Sequence, residues 1–139
     1  MVGIVIATHG RLGDELVATA RQIVGAIDAV ATCSVEPGAS PETLKADLCT
    51  AVASVETGDG VLVLADLLGG SPCTQSLTLC TERTIEVVTG VNLPMLMKAH
   101  SLRSQKVSLA ELAEQLAAYG QRHITFASEK LRGSRPPAA

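Results

Sequence analysis

His9 and Asp66 are the two residues whose surroundings ask for a chemical explanation. His9 closes a short apolar run in Ala7-Thr8-His9-Gly10, and Asp66 interrupts what would otherwise be the apolar run Val61–Leu68. A carboxylate taken out of water without a partner is costly, so Asp66 needs a hydrogen-bond donor nearby. An imidazole N–H is a suitable one. An Asp that keeps one ring nitrogen protonated leaves the other as a free lone pair facing outward: a nucleophile, a base or a metal ligand. The competing reading is a structural histidine satisfied at a strand end.

Asp66 is followed by Leu67-Leu68-Gly69-Gly70-Ser71-Pro72. Gly69 and Gly70 permit close backbone approach, and Ser71 can cap a helix whose first-turn N–H groups face the cleft. A phosphoryl group suits such a place. Many strand-to-helix turns look like this and bind nothing, so the turn gains weight only beside His9 and Asp66. Neither G-x-G-x-x-G nor G-x-x-x-x-G-K-[ST] occurs, which disfavours dinucleotide and P-loop nucleotide binding.

Cys33, Cys49, Cys73 and Cys80 form no C-x-x-C pair, and His9, His100 and His123 lack ligand-like spacing, so no metal or other cofactor is expected. The cysteines read as reduced thiols used as small hydrophobes in a cytoplasmic protein. Cys73, in the first turn of the third helix, offers a rival reading as a reactive thiol, and a buried filler explains it more economically. Asp14 and Glu15 suit the start of a helix, where the dipole favours acids. His100 and His123 read as surface or interface residues, and Met95 and Met97 as packing.

Short apolar runs alternate with amphipathic ones, the pattern of βαβ units around a parallel sheet. Strands are expected at 2–7, 29–35, 60–65 and 84–88. The first helix carries Leu16, Val17, Ala20, Ile23, Val24 and Ile27 at helical spacing and stops near Gly25. The second starts at Ser40-Pro41, with the stripe Leu44, Leu48, Val52 and Val55; the third starts the same way at Ser71-Pro72, with Leu77 and Cys80. A short fourth follows Pro94. Ser108-Leu-Ala-Glu111 is a capping box that opens a fifth, with Leu109, Leu112 and Leu116 on one face. His123–Ala127 reads as a last strand, and the residues from Arg132 as disordered. In the usual 2-1-3-4 strand order the ends of the first and third strands are adjacent, which brings His9 and Asp66 to one edge, where open α/β sheets bind ligands.

The 139 residues fit one domain. An apolar fraction of 47% excludes disorder, and Tyr119 and Phe126 are the only aromatics, so Ala, Val, Leu and Ile must fill the core. Without aromatic platforms, and with a net charge of −3, nucleic acid is a poor partner. No run approaches the roughly 20 apolar residues needed to span a bilayer, and no export signal is visible.

Three segments, Ile4-Val5-Ile6-Ala7-Thr8-His9-Gly10, Asp66-Leu67-Leu68-Gly69-Gly70-Ser71-Pro72 and Gly90-Val91-Asn92-Leu93-Pro94-Met95-Leu96, occur in order and with domain-like separation. In these the chain resembles the IIA domain of the mannose-type sugar phosphotransferase system. The resemblance implies that His9 accepts phosphate from the carrier protein HPr and passes it to a IIB protein, with Asp66 orienting it and Gly69, Gly70 and Ser71 holding the phosphoryl oxygens. It implies no obligatory metal. It also implies a homodimer in which His123–Ala127 pairs antiparallel with the partner's sheet. Leu68 departs from the aromatic residue often found there, and Arg11 stands either in place of apolar docking surface or as a phosphate contact; both bear on partner choice.

The expected architecture is therefore α/β: a doubly wound four-stranded parallel sheet of order 2-1-3-4, with an extra antiparallel C-terminal strand exchanged in a homodimer. Residues 1–128 form the phosphocarrier domain and 129–139 a flexible tail. Function is phosphoryl transfer in sugar uptake or a regulatory branch. A non-transport regulatory module and a phosphocarrier subunit of dihydroxyacetone kinase are the alternatives.

Overall fold

The computed structural model describes residues 1–67, 70–79 and 84–133. Four strands, β1 (Gly3–His9), β2 (Val30–Val35), β3 (Val61–Ala65) and β4 (Ile85–Thr89), form one sheet of order β2-β1-β3-β4. Every pairing is parallel. Each strand except β2 is preceded or followed closely by Gly, and Val, Ile and Leu dominate β3 and β4, as strands covered on both faces require.

Alternation along the two central strands sorts the helices into two layers. Ile4, Ile6, Leu62 and Leu64 pack with α1 (Leu12–Val24), α4 (Leu93–Arg103) and α5 (Leu109–Arg122). Val5, Ala7, Val61 and Val63 pack on the opposite face with α2 (Pro41–Val55) and Leu79 of α3 (Ser71–Leu79). The chain thus leaves β1 towards one face and β3 towards the other. That divergence opens a crevice at their carboxyl ends.

The caps explain most helix boundaries. Ser40 Oγ accepts from the Thr43 N–H with Pro41 at the first helical position, and the Ser108–Glu111 capping box is complete in both directions. α4 is longer than the short helix expected after Pro94. Asn92 caps it by accepting from the Met95 N–H, and buried Ala99 and Leu102 continue the face begun by Met95 and Leu96. On α1, Ile23 is exposed, because the helix ends at Val24 and the buried Ile27 lies beyond it. On α3 the inward face is Cys73, Ser76 and Leu79, while Leu77 is exposed. Ser76 joins that face because its hydroxyl donates to the Pro72 carbonyl at 2.6 Å, so no polar atom is stranded. Cys80, also expected on that stripe, lies outside the described residues.

The expected strand at His123–Ala127 is absent from the single chain. His123 is the C-cap of α5, residues 124–126 have no regular structure and no ladder, and α6 (Ala127–Gly133) follows, taking in residues 129–133 of the expected tail. A strand exists only where its backbone pairs with another, and among the described residues this segment pairs with none.

Arg103, at the end of α4, is 7% exposed and ties the opposite end of the sheet. Its guanidinium donates to the carbonyls of Val2 at 3.0 Å, Ala29 at 3.3 Å and Asp28 at 2.6 Å, which joins the start of β1 to the segment entering β2. Arg103→Met keeps the apolar stem and takes the guanidinium from the Val2 and Asp28 carbonyls, while the Ala29 carbonyl still accepts from the Ile4 N–H. It should destabilise the fold by about 2–3 kcal/mol, read as a lower urea midpoint with an unchanged m-value.

Candidate functional site

The register places the two chemistry-bearing residues without further assumption. Ala7 of β1 lies opposite Ala65 of β3, the last pair of that ladder. β1 continues for two more residues against β2 alone, with Thr8 opposite Ser34 and His9 opposite Val35. β1 therefore outruns the expected end at residue 7. His9 projects past the β3 terminus, where Asp66 is the first residue after the strand.

Asp66 is 8% exposed at its side chain and His9 50%. One carboxylate oxygen, Oδ2, accepts from the His9 backbone N–H at 2.9 Å and bonds His9 Nδ1 at 2.7 Å. The other, Oδ1, accepts from the Leu67 N–H at 3.0 Å. Burial by itself would raise the Asp66 pKa, but the His9 backbone and ring hydrogen bonds, the nearby His9 charge and the Leu67 N–H together hold it below the ordinary 3.8. An ionised carboxylate only accepts, so Nδ1 carries a proton, and in the neutral imidazole the lone pair is then on Nε2.

Gly70 closes the other side. A Cβ there would lie 2.9 Å from His9 Cε1 and 3.3 Å from Leu67 Cδ1, so only glycine lets the imidazole rest against this turn. The Gly70 carbonyl accepts from the Thr74 N–H at 2.9 Å, which makes Gly70 the cap of α3 and Ser71 its first residue, one position earlier than Ser71-Pro72 led us to expect. The positive end of α3 thus begins beside the ring. Gly69 lies outside the described residues.

Thr8 is a site residue that periodicity does not single out. It is fully buried, and its Oγ1 accepts from the Gly13 N–H at 2.8 Å, bridging the end of β1 to the first turn of α1. Its signal is a Thr five residues before a helical N–H that no neighbouring side chain caps. Asp14 does more than complement the dipole, since it accepts from Thr32 Oγ1 at 2.5 Å and Ser34 Oγ at 3.4 Å on β2. Around His9, Leu12 and Leu67 are about half exposed.

The remaining candidates lie elsewhere. His123 stacks on Tyr119 with 3.7 Å between ring centroids, and His100 sits on α4. Cys73 is 1% exposed, closed to any substrate, and burial followed by the Asp47 charge pushes the Cys33 thiol up to about 11. Among the described residues no group of three or more His, Cys, Asp or Glu is placed to hold a metal ion.

Comparison with known proteins agrees with this layout. The family model described as PTS system fructose IIA component matches residues 3–117. The mannose-specific EIIAB component of the Escherichia coli K12 phosphotransferase system is 35% identical over 112 residues; the match covers 80% of this chain, which spans only 35% of that relative. The fructose-specific EIIA component of Bacillus subtilis is 27% identical over 132 residues, covering 94% of this chain and 90% of its own. The crystal structure of a phosphotransferase system component EIIA from Streptococcus agalactiae superposes with a TM-score of 0.85 at 29% identity, over 93% of this chain and 99% of that one.

The lowered Asp66 pKa sets the sign of an acid response. A carboxyl that titrates lower in the folded state stabilises the fold fully above its unfolded value and loses that contribution as pH falls through its folded value. The stability difference between the wild type and Asp66→Asn should therefore be constant near neutrality and shrink below pH 3.8. Urea unfolding of both proteins from neutral pH to about pH 2.5 checks this.

Proposed function

Because the chain belongs to the family of fructose- and mannose-type IIA components of the phosphotransferase system, we propose that it is a phosphohistidine carrier. His9 takes a phosphoryl group from an HPr-like protein and passes it to a IIB protein in sugar uptake or to a partner in a regulatory branch. The observation that carries this reading is the 2.7 Å bond from His9 Nδ1 to a buried carboxylate, which commits Nε2 to attack.

The step balances without a further reactant. The Nε2 lone pair forms the new P–N bond in line as the donor's P–N bond breaks, and the departing electron pair returns to the donor's ring. The Nδ1 proton stays in place, and Asp66 stabilises the positive charge that develops on the imidazole. Gly70 and Ser71, at the start of α3, face the phosphoryl oxygens. Positioning and charge stabilisation are the whole of the protein's contribution. The working unit is residues 1–128, placed in the cytoplasm; among the described residues no helix is long and apolar enough to cross a membrane.

The same reading includes a homodimer. β4 ends the sheet with one side unpaired, and beside it a groove is lined by Val87, Thr89, Gly120 and Ile124. Ile124 is 78% exposed and Phe126 69%, a costly display for a lone chain. On pairing, residues 123–127 of one copy add antiparallel to the β4 edge of the other, so the strand missing from the single chain forms across the interface.

Incubation with phosphoenolpyruvate, enzyme I and HPr should add one acid-labile phosphoryl group by intact mass, and His9→Ala should abolish it while remaining folded. Asp66→Asn should keep the fold and slow transfer on the order of a hundredfold. No gain of mass with a cognate HPr overturns the assignment.

Sedimentation velocity tests the assembly. The wild type should sediment as a dimer, and Ile124→Asp with Phe126→Asp should give a folded monomer. A monomeric wild type, or a double variant that stays dimeric, refutes the exchanged strand.

A further inference from the structure

We infer that Arg11 is a cation that changes partner with the state of His9: it pairs with Glu15 while the imidazole is bare and moves to the phosphoryl oxygens once they are attached. The inference rests on the proposed role of His9 and concerns a residue that the phosphoryl-transfer step itself does not use.

Arg11 is placed for this by the turn that follows β1. Gly10 adopts φ +54°, and its N–H donates to the Val35 carbonyl at 3.1 Å, so the chain reverses at a point still bonded to β2. Arg11 is the next residue. One residue, Gly10, separates it from His9, so their Cα atoms are at most about 7 Å apart, a span that an arginine side chain covers.

Its side chain has no structural duty in α1. Arg11 holds the N-cap position, where its carbonyl accepts from the Glu15 N–H at 3.1 Å, but its side chain makes no capping bond. Thr8 Oγ1 takes the Gly13 N–H in its stead. The guanidinium is 80% exposed and meets Glu15 Oε1 at 3.6 Å, with Glu15 itself 68% exposed. An exposed i,i+4 pair of this kind, longer than a good hydrogen bond, is weak and easily exchanged.

Charge decides the direction of exchange. Phosphorylation sets a near-dianion beside Asp66, a carboxylate that the structure already holds ionised, on the turn leading into α1, whose first turn carries Asp14 and Glu15. Asp14 is occupied by Thr32 and Ser34, so Arg11 is the mobile charge of this turn. A guanidinium fork matches phosphoryl oxygens in a bidentate fashion and carries more attraction for a dianion than for a solvated carboxylate. The exchange strips Glu15 of its partner. The surface beside His9 therefore presents a neutral pair before phosphorylation and a free carboxylate after it, a difference by which a donor and an acceptor protein can be told apart.

Phosphoramidate, which phosphorylates imidazole and releases ammonia, tests this without any partner protein. The wild type, Arg11→Gln and Glu15→Gln are each labelled, and the phosphoryl group is titrated by ³¹P NMR, with His9→Ala identifying the His9 signal. Loss of the cation in Arg11→Gln should raise the second phosphoryl pKa on the order of half a unit, and Glu15→Gln should lower it. The wild-type Arg11 Nε–H resonance should also shift on labelling. Identical phosphoryl titrations in the wild type and Arg11→Gln overturn the inference, even where Arg11→Gln slows transfer between proteins, which would make Arg11 a docking residue only. A wild type that shows no His9 phosphoryl signal at all overturns the reading of His9 itself.

Discussion

A carboxylate removed from water must be given donors, and among the described residues Asp66 finds them in two places: His9, through backbone and ring, and the adjacent Leu67 N–H. The geometry around it follows from that requirement. β1 has to run past β3 so that His9 reaches across, β3 has to stop at Ala65 so that Asp66 can turn upward, and Gly70 has to lack a side chain so that the ring fits beneath the start of α3. The bond is short because both partners need it: the acid to escape its desolvation cost, the imidazole to hold one tautomer.

That pair was legible in the sequence because it breaks a pattern. An acid inside an apolar run and a histidine at the end of another are each anomalous, and the strand order that unites them is the common one for this succession of elements. The capped helices were legible for the same local reason, since Ser40-Pro41 and Ser108–Glu111 state their own geometry. The supports of the site were hidden because they are relations between distant residues. Nothing in Thr8 announces that it caps Gly13, and nothing in Ser-Leu-Arg103-Ser announces that its Arg is buried against three carbonyls. Ser76 has no place in the expected stripe of the third helix, because its hydroxyl bond to Pro72 is visible only in the helix.

The segment after α5 shows a different limit. Its β-branched and aromatic residues, Ile124, Thr125 and Phe126, carry strand propensity, yet propensity alone makes no ladder. A strand is a property of two edges. In one copy of the chain the segment is exposed and forms no ladder, although Ile124 lines a groove beside β4.

The sequence separation of 57 between His9 and Asp66 has a consequence for synthesis. As the chain leaves the ribosome, β1 and α1 emerge long before β3, and until β3 docks the histidine is an ordinary imidazole with neither nitrogen committed. Maturation of the nucleophile therefore coincides with closure of the central sheet. On the proposed reading, a nascent or misfolded chain draws no phosphate from the cellular pool, and the modification certifies a finished fold.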